Sequence, residues 1–461
     1  MSLDVAVRNG TIVTADATFK SSIGIADGKI VRISDDLPEA KKEIDATDRL
    51  VAPGAVDVHT HFDRFHSWIG MKNADDYETG TRASAIGGIT TVVNFAYQEP
   101  GEHPKVTIDR ELELADGNAH IDYGLHLVVA DLSVSGTLSA IGPIADEGHS
   151  SVKIFTTVPK VGLNDHEILK VLEATRDEGI MVSVHAEDDP LCNHLVNHYL
   201  DAGKTGVEYF PKAHPPVAEG LATGKVATYA RVLGAPVYFV HLSSHYALQA
   251  VRRAREDGAT VYVETRPVYL YLDDSKYELP DKQGNLYVCL PPLRSKMDQD
   301  TLWEGLRNGE IQTYATDHAP WKSVQKLQGK DFAHIPAGVA NVQTSVGMLY
   351  SDGVTNGKIS VNQFVAVTST NPAKLFGMWP RKGTLTVGAD ADIVIIDPKR
   401  KIELKSEDIV SNVDYDPYAG YKGVGWPVMT LSRGDVVAEE GHIVSKPGRG
   451  KALKRSRFQP L

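Results

Sequence analysis

The chain has 461 residues, 42% of them hydrophobic and 23% charged, which is the composition of a soluble globular protein. Its 48 lysines and arginines against 60 aspartates and glutamates give a net charge of −12, which argues against a broad basic surface for nucleic acid. Two cysteines are too few for a disulfide framework, and no apolar run reaches the roughly 18 residues of a membrane-spanning helix. Because the N-terminus also lacks the apolar segment of a signal peptide, we expect a cytoplasmic protein without nucleic-acid or membrane partners.

The first fifty residues are predicted to form β-hairpins. An Asn-Gly or Asp-Gly pair between two β-rich runs is a strong hairpin signal, because these residues accept the positive φ angles of a tight turn. Two such pairs occur, Asn9-Gly10 between Val5–Val7 and Thr11–Thr14, and Asp27-Gly28 between Ile23–Ala26 and Lys29–Ile33.

The middle of the chain alternates short apolar runs with amphipathic segments such as Asp165–Glu178 and Leu221–Leu233. Strands that alternate with helices eight times predict an α/β fold, a (β/α)8 TIM barrel, over residues 53–380. The stretch 190–232 is long for one crossover, and we expect subunit contacts there. The predicted strands are Ala55–His59, Ile89–Phe95, Asp122–Val129, Ser151–Phe155, Met181–His185, Val237–His241, Thr260–Thr265 and Ile311–Thr316.

Short β-rich runs return near the C-terminus. Because the termini of a domain often lie close together, both ends of the chain are predicted to form one small β-sandwich domain from residues 1–52 and 381–448. Residues 449–461 form a basic tail that we expect to be solvated or in contact with another subunit. The C-terminal β-rich runs are Ala391–Ile396, Val428–Ser432, Asp435–Ala438 and His442–Val444.

His59 and His61 lie at the end of the first barrel strand. Residues i and i+2 of a strand point to the same side, so the two imidazoles are expected to converge. Neutral imidazole is the commonest protein ligand for zinc and similar ions. The pair alone is equally compatible with two surface histidines, so the other strand ends must decide.

Other strands of the predicted barrel carry residues of the same kind near their C-terminal ends, where barrels place their chemistry. These residues are Lys153, His185, His241 and Asp317. Together with the histidine pair they supply four imidazoles and a carboxylate, enough ligands for two divalent ions if one further anion bridges them. The combination therefore predicts a metal centre at the carboxyl edge of the barrel.

The motifs of the chain resemble the cyclic-amidohydrolase branch of the amidohydrolase superfamily, which includes dihydropyrimidinases, hydantoinases and allantoinases. The resemblance covers nearly the whole chain and is closest to hydantoinases and dihydropyrimidinases in its last two segments. The matching segments are Pro53–His61, Gly87–Thr91, Pro291–Arg294, Thr316–His318, Asn371–Gly377, Gly388–Asp392, Asn412–Tyr418 and Arg433–Asp435.

By this resemblance, His59 and His61 hold one divalent ion together with Asp317, and His185 and His241 hold the second. Lys153 is implied to bridge the two ions as a carbamate formed with CO2, since an unmodified ammonium between two dications would be repelled. Zinc is the metal most typical of such ligands, with manganese and cobalt as alternatives. The family further implies a homotetramer.

The same resemblance implies the chemistry. Two cations that share one water lower its pKa, and the resulting bridging hydroxide attacks the carbonyl of a cyclic amide such as a hydantoin or dihydropyrimidine ring. Asp317 is expected to accept a proton and deliver it to the leaving nitrogen as a general acid/base.

Three predicted substrate-binding positions depart from the family pattern. Val158 replaces a tyrosine whose hydroxyl supports the oxyanion, and loss of such a donor typically costs about 10²–10³ in rate. Leu290 replaces a serine and Ala337 an asparagine, so the pocket is predicted to be more hydrophobic than one built for dihydrouracil. Thr156, Thr157 and Tyr97 are the hydroxyls that could replace the missing donor.

Arg64, His66 and Trp68 follow the histidine pair and are expected near the mouth of the pocket. Arg64 could bind a carboxylate of the substrate, or pair with Asp63 or a neighbouring loop.

Three alternatives to a hydantoin-type hydrolase stay open at this stage. The chain could be an allantoinase, a cyclic imide hydrolase or another amide hydrolase of the same superfamily. It could be a mononuclear deaminase of that superfamily, although such deaminases lack the bridging lysine. It could also be a non-catalytic scaffold like the collapsin-response proteins, although those have lost ligands that are all present here.

Overall fold

The computed structural model describes residues 2–67 and 69–461 of the chain, so Trp68, expected at the pocket mouth, lies outside the described residues. The N-terminal part consists of short strands. They are β1 (Leu3–Val13), β2 (Thr18–Ala26), β3 (Lys29–Ile33), β4 (Ala40–Asp45) and β5 (Leu50–Pro53).

The central part supplies the barrel strands and one small hairpin. They are β6 (Ala55–Thr60), β7 (Phe65–His66), β8 (Met71–Lys72), β9 (Ile89–Tyr97), β10 (Asp122–Val128), β11 (Ser151–Phe155), β12 (Met181–His185), β13 (Val237–Phe239), β14 (Val261–Thr265) and β15 (Thr313–Tyr314). The C-terminal strands are β16 (Ile393–Glu403), β17 (Lys422–Ser432), β18 (Asp435–Glu439) and β19 (His442–Ile443).

Helices connect the strands and cover the barrel. They are α1 (Tyr77–Ile86), α2 (Pro104–Ala115), α3 (Ile141–Asp146), α4 (Asp165–Asp177), α5 (Asp189–Asp201), α6 (Phe210–Ala213), α7 (Pro216–Leu233), α8 (His245–Glu256), α9 (Pro267–Tyr271), α10 (Lys296–Arg307), α11 (Ser323–Leu327), α12 (Ser345–Leu349), α13 (Val361–Val365) and α14 (Asn371–Leu375). Among the helices of the described residues, none combines the length and apolarity needed to cross a membrane.

The two ends of the chain share one mixed sheet, as the sequence predicts. Its strand order is β19-β18-β17-β16-β5-β1-β2-β3, and β4 pairs with β1. The joining contact is the antiparallel pair of β5 and β16, and the core beneath it combines side chains from both ends, such as Ile12, Ile25 and Ile393. This confirms a β-sandwich module built from both termini, while its division at residues 52 and 381 stays a prediction.

One predicted hairpin is confirmed and the other is wrong. Asp27-Gly28 forms the turn between β2 and β3, where Ala26 pairs with Lys29. Asn9-Gly10 is instead a bulge inside β1, with Asn9 at φ 61° and a register shift between Val7 and Gly10. The strand continues because β5 packs against it, and a Cβ atom at Gly10 would come within 2.4 Å of the Val51 side chain.

The eight predicted barrel strands all occur, in the order β15-β14-β13-β12-β11-β10-β9-β6, and each pairs in parallel with the next. This arrangement confirms the (β/α)8 barrel. The ends of that sheet meet at the seam between β6 and β15, where Asp57 accepts hydrogen bonds from the Thr316 amide (3.1 Å) and hydroxyl (2.6 Å). The His61 amide also donates to the carbonyl of His318 at 3.0 Å, so backbone and side-chain bonds together close the barrel.

Local sequence signals set the helix ends around the barrel. Helix α4 starts at a capping box in which Asn164 and Glu167 satisfy each other's backbone amides. Helix α7 begins at Pro216 and ends at Gly234, which takes a left-handed conformation at φ 71°. Both elements agree with the predicted helices to within a few residues.

The C-terminal tail is only partly solvated, because Lys451, Lys454 and Ser456 are exposed whereas Leu453 and Arg455 are buried. The Arg455 guanidinium donates to the Leu125 carbonyl and to the Ser151 hydroxyl (2.9 Å). Leu453 packs with Phe376 and Val58 under the barrel. Its amide also bonds to the Tyr123 carbonyl, so this segment covers the end of the barrel where the strands begin.

A buried ion cluster joins the barrel to the terminal sheet. Lys382 is fully buried, and its ammonium lies 2.7 Å from Asp122 of β10, 2.6 Å from Asp392 and 3.0 Å from Asp390. Although burial lowers the pKa of Lys382, the three carboxylates raise it above its ordinary value. Removal of this cation would take from Asp392 its one ion-pair partner among the described residues and weaken the pairing of Asp122 and Asp390, which is strongly destabilising for buried carboxylates.

Lys382→Met is expected to lower the free energy of unfolding by about 3–5 kcal/mol, because it breaks a buried ion cluster. Lys29→Met is the matched control, since Lys29 also pairs with Asp390 but its side chain is 43% exposed. The control should cost less than about 1 kcal/mol. Chemical denaturation of both variants measures the difference, and equal losses would contradict a structural role for the cluster.

Candidate metal centre

The structure brings all six residues of the predicted metal site together at the carboxyl edge of the barrel. His59 and His61 lie at the end of β6, His185 ends β12, His241 follows β13, and Asp317 follows β15. All are buried, as is Lys153 of β11. The ligand atoms of His59, His241 and Asp317 all lie within 4.8 Å of one another, which is compact enough for one cation.

His59 and His61 converge on one carboxylate. Oδ1 of Asp317 lies 3.1 Å from Nε2 of His59 and 2.8 Å from Nε2 of His61. Burial lowers the pKa of both histidines well below the ordinary value, so both rings are neutral near pH 7. Two neutral imidazoles and a carboxylate that meet at one point form a ligand set for a divalent ion.

His185 and His241 form the second pair. Nδ1 of His185 and Nε2 of His241 are 2.9 Å apart, and burial lowers the pKa of both residues. The Nδ1 atom of His241 is buried without a hydrogen-bond partner among the described residues. Such an orphaned polar atom is costly unless another group satisfies it, and a cation beside the ring would do so.

Lys153 lies between the two histidine pairs. Its Nζ is 5.3 Å from the centroid of the Phe95 ring and 4.7 Å from that of Phe155. Phe95 packs against His59 and Phe155 against His185, so the amine faces both pairs. Lys153 pairs in register with Ser183, two residues before His185, and only a long side chain reaches the level of the imidazoles from there.

The environment of Lys153 disfavours an ammonium. Burial lowers its pKa well below the ordinary value, and the positive charge of Arg266 lowers it further. A neutral amine is the form that can react with CO2, so these conditions suit the carbamate implied by the resemblance.

Two of the candidate ligands have strained backbones. His241 has φ 39° and Asp317 has φ 48°, values in the left-handed region that non-glycine residues seldom adopt. Each such residue costs on the order of 1–3 kcal/mol and persists only where the surrounding structure holds it. The strain at both positions points to a functional site.

Glu264, near the end of β14, orients these ligands and was missed from the sequence. It accepts hydrogen bonds from Nδ1 of His59 (2.7 Å), from the His241 amide (2.9 Å) and from the Tyr238 hydroxyl (2.9 Å). The bond to Nδ1 fixes the tautomer of His59 and leaves its Nε2 free to bind a cation. A glutamate inside a strand of otherwise apolar and β-branched residues was the available signal.

Arg266 is a second residue that the sequence interpretation missed. It follows the last residue of β14, is fully buried, and contacts Oδ2 of Asp317 through Nη1. The signal was its position immediately after a barrel strand, at the same edge as the ligands.

The predicted substrate-binding residues lie in segments that follow the barrel strands, and the cavity beside Val158 is lined by none of the six candidate metal ligands. Val158 is half-buried, has φ 86°, and lines a cavity of about 800 Å³ together with Thr156. The Leu290 carbonyl accepts a bond from Arg266 at 3.3 Å, and the Ala337 carbonyl accepts one from the Trp321 indole at 2.9 Å.

Of the three candidate replacements for the missing oxyanion donor, Tyr97 is placed best. Its hydroxyl lies 3.2 Å from Nδ1 of His61, and burial raises the pKa of Tyr97 to about 12, so the hydroxyl stays protonated. The Thr156 hydroxyl bonds to the carbonyls of His185 and Glu187, and the Thr157 hydroxyl bonds to Asp189.

Arg64 points to the same region but is already paired. Its Nη1 lies 3.0 Å from Oε1 of Glu99, and its guanidinium stacks 3.7 Å from the centroid of the Tyr97 ring. The partner is therefore a neighbouring loop, while Asp63 pairs with Lys72.

Comparisons with known proteins agree with this geometry. A sequence model of the amidohydrolase family matches residues 50–437. The D-hydantoinase of Ralstonia pickettii is 38% identical over 99% of this chain and 100% of its own, and that of Geobacillus stearothermophilus is 39% identical over 99% and 97%.

Solved structures of hydantoinases and dihydropyrimidinases superpose closely on this chain. The crystal structure of the dihydropyrimidinase from Brevibacillus agri NCHU1002 superposes with a TM-score of 0.96 at 40% identity, covering 99% of each chain. The L-hydantoinase (dihydropyrimidinase) from Arthrobacter aurescens superposes with a TM-score of 0.90 at 29% identity, covering 98% of this chain and all of that one.

Glu264→Gln is expected to weaken binding of a divalent metal by about 10–100-fold, because it loosens the orientation of His59 and His241. Glu111→Gln is the matched control, since burial raises the pKa of both glutamates to about 7 but Glu111 bonds to Tyr77 instead. Competition with a chromogenic chelator measures the affinities. Unchanged affinity in the Glu264 variant would show that the carboxylate does not support the ligands.

Proposed function

We propose that this chain, which belongs to the amidohydrolase family, is a metal-dependent hydrolase that opens a C–N bond of a cyclic amide. The observation that carries this function is the convergence of four neutral imidazoles, Asp317 and a buried lysine at one edge of the barrel. A scaffold protein has no need of such a set, so the complete donor set argues against the collapsin-response interpretation.

The donor set fits two divalent ions. His59, His61 and Asp317 would hold one, His185 and His241 the other, and Lys153 would join them after its neutral amine adds to CO2 and loses a proton. When bound, the ions lower the pKa of a shared water and polarise the amide carbonyl. Imidazole ligands favour zinc, with manganese or cobalt as alternatives.

The residues of the chain supply the proton transfer and orientation. We assign to Asp317 the transfer of a proton from the attacking water to the leaving nitrogen, because its carboxylate is held between the histidines and Arg266. The Tyr97 hydroxyl is a donor near the reacting carbonyl and stays protonated through the physiological range.

The substrate wall is apolar at three predicted positions. Val158, Leu290 and Ala337 present no polar side chain, and Thr157 is engaged by Asp189. We therefore propose a hydantoin or dihydropyrimidine-like ring, the substrates in the names of its relatives, with allantoin and cyclic imides as the alternatives.

We further propose that copies of the chain form a homotetramer. Helix α7 exposes Val217, Leu221 and Val232, and the first residues of α8 add Tyr246. Exposed apolar side chains grouped on neighbouring helices favour a protein interface over contact with water.

A substrate panel tests the function. The zinc-loaded protein is expected to open hydantoin faster than dihydrouracil, allantoin and succinimide, with ring opening followed by loss of amide absorbance. Removal of metal by a chelator should abolish the activity, and added zinc should restore it. A loaded protein that opens none of the four rings would refute the proposed function.

Lys153→Ala is expected to reduce the bound metal from two ions per chain to one or fewer, because the bridging anion is lost. Lys225→Ala is the control, since that lysine lies at the surface and pairs with Asp165. Elemental analysis after growth with zinc measures the content. Two ions retained in the Lys153 variant would contradict the bridging role.

A further inference from the structure

Arg266 places a permanent positive charge beside the candidate metal centre. The residue follows β14 at the same edge as the ligands, and none of its side chain is exposed. An arginine remains protonated at any physiological pH, so this charge cannot be removed by proton loss. A buried cation at this position requires an anionic partner.

The guanidinium is held from one side. Nη2 donates to the Tyr269 hydroxyl at 2.5 Å and lies 3.3 Å from the carbonyls of Leu290 and Pro291. The guanidinium carbon is 4.4 Å from the centroid of the Tyr269 ring, and that tyrosine is itself fixed by a 2.6 Å bond to Pro291. These contacts pre-organise the side chain without neutralising its charge.

The other two nitrogen atoms of the guanidinium group, Nη1 and Nε, do not bond to Tyr269 or to the two carbonyls. Nη1 contacts Oδ2 of Asp317, and Nε is buried without a hydrogen-bond partner among the described residues. An unsatisfied buried N–H group on a charged side chain is costly, which favours an external acceptor.

Asp317 is also the only carboxylate within ion-pair distance of Arg266 among the described residues. The proposed function assigns the charge of Asp317 to a metal ion. Glu264 does not take its place, because it lies beyond ion-pair distance of Arg266 and bonds instead to His59, His241 and Tyr238. In the metal-loaded protein Arg266 would therefore share its one carboxylate partner among the described residues with a cation.

Among the described residues, the segments that border Arg266 add no second carboxylate within ion-pair distance. The Leu290 carbonyl borders the guanidinium directly, and the segment that contains Ala337 is joined to the same loop by a bond from the Gly338 amide to the Val288 carbonyl. Arg64, the other arginine of the region, is neutralised by Glu99.

We propose that Arg266 binds a carboxylate carried by the substrate, so that the preferred substrate is a cyclic amide with an acidic side group close to the ring. The inference rests on the proposed function. A guanidinium binds carboxylate through two parallel hydrogen bonds, and a site built this way discriminates strongly against a neutral analogue of equal size.

The test compares two rings that differ only in charge. They are 5-carboxymethylhydantoin and its amide, 5-carbamoylmethylhydantoin, and both yield the same kind of new carboxylate on ring opening. For the zinc-loaded protein we expect kcat/KM to be about 10- to 100-fold higher for the acid. Calorimetry should show tighter binding of the acid as well, independently of turnover.

Substitutions of Arg266 and Arg64 test which arginine causes the preference for the acid over the amide. Arg266→Gln should bring the ratio of acid to amide close to one, and Arg266→Lys should keep part of it because a point charge remains. Arg64→Gln should keep the preference. Circular dichroism checks that each variant folds, and if the glutamine variant does not, the lysine variant still decides through its reduced ratio.

The outcomes separate the two claims. If the wild type opens both rings at equal rates and binds them equally, the inference is overturned and the proposed function stands. If neither ring is opened but the acid alone binds through Arg266, the proposed function fails and the inference stands. The inference is also overturned if Arg64→Gln, and not Arg266→Gln, removes the preference for the acid. It is overturned as well if Arg266→Gln lowers kcat/KM equally for both rings, because Arg266 would then act on the scissile amide or on Asp317.

Discussion

The seam between β6 and β15 is the constraint on which the site depends. His59 and His61 leave one edge of the eight-stranded sheet and Asp317 leaves the other, so these residues meet only if the barrel closes. Asp57 closes it by accepting bonds from Thr316 and from the amide of His59, and burial raises the pKa of Asp57 to about 7. The buried side chain of Asp57 therefore sets the distance between the histidine pair at the end of β6 and Asp317 after β15.

Charge is the second constraint on the centre. Burial keeps the four histidines and Lys153 neutral, so the ligands bring few charges of their own to the pocket. The charged partners are Asp317 and Arg266, which contact each other, whereas burial raises the pKa of Glu264 to about 7. This arrangement prepares the pocket for cations and, through Arg266, for an anionic group on the substrate.

The predictions from sequence succeeded where local pattern and chain order carry the information. The barrel strands and the sandwich from both termini follow from strand periodicity and from the order of β-rich and alternating segments along the chain. The six candidate metal-site residues stay a prediction, although the barrel brings them to one edge. The predictions failed where packing overrides a local signal. Asn9-Gly10 became a bulge because β5 extends the sheet past it, and Arg455 became buried because the barrel end accepts its side chain.

The sequence alone identified the candidate metal ligands, because side-chain type and strand register are local properties. It did not determine what surrounds them. Glu264 lies in β14 and Arg266 directly follows it, and the end of this strand was not read as part of the site. Their roles depend on contacts with His59, 205 positions from Glu264, and with Asp317, 51 positions from Arg266. The sequence also offered Tyr97, Thr156 and Thr157 as equal candidates for the missing donor, and only their hydrogen-bond partners in the folded structure distinguish Tyr97 from the two threonines. Only the closed barrel shows which hydroxyl and which charge face the ligands, because hydrogen-bond geometry is fixed by tertiary packing and not by spacing along the chain.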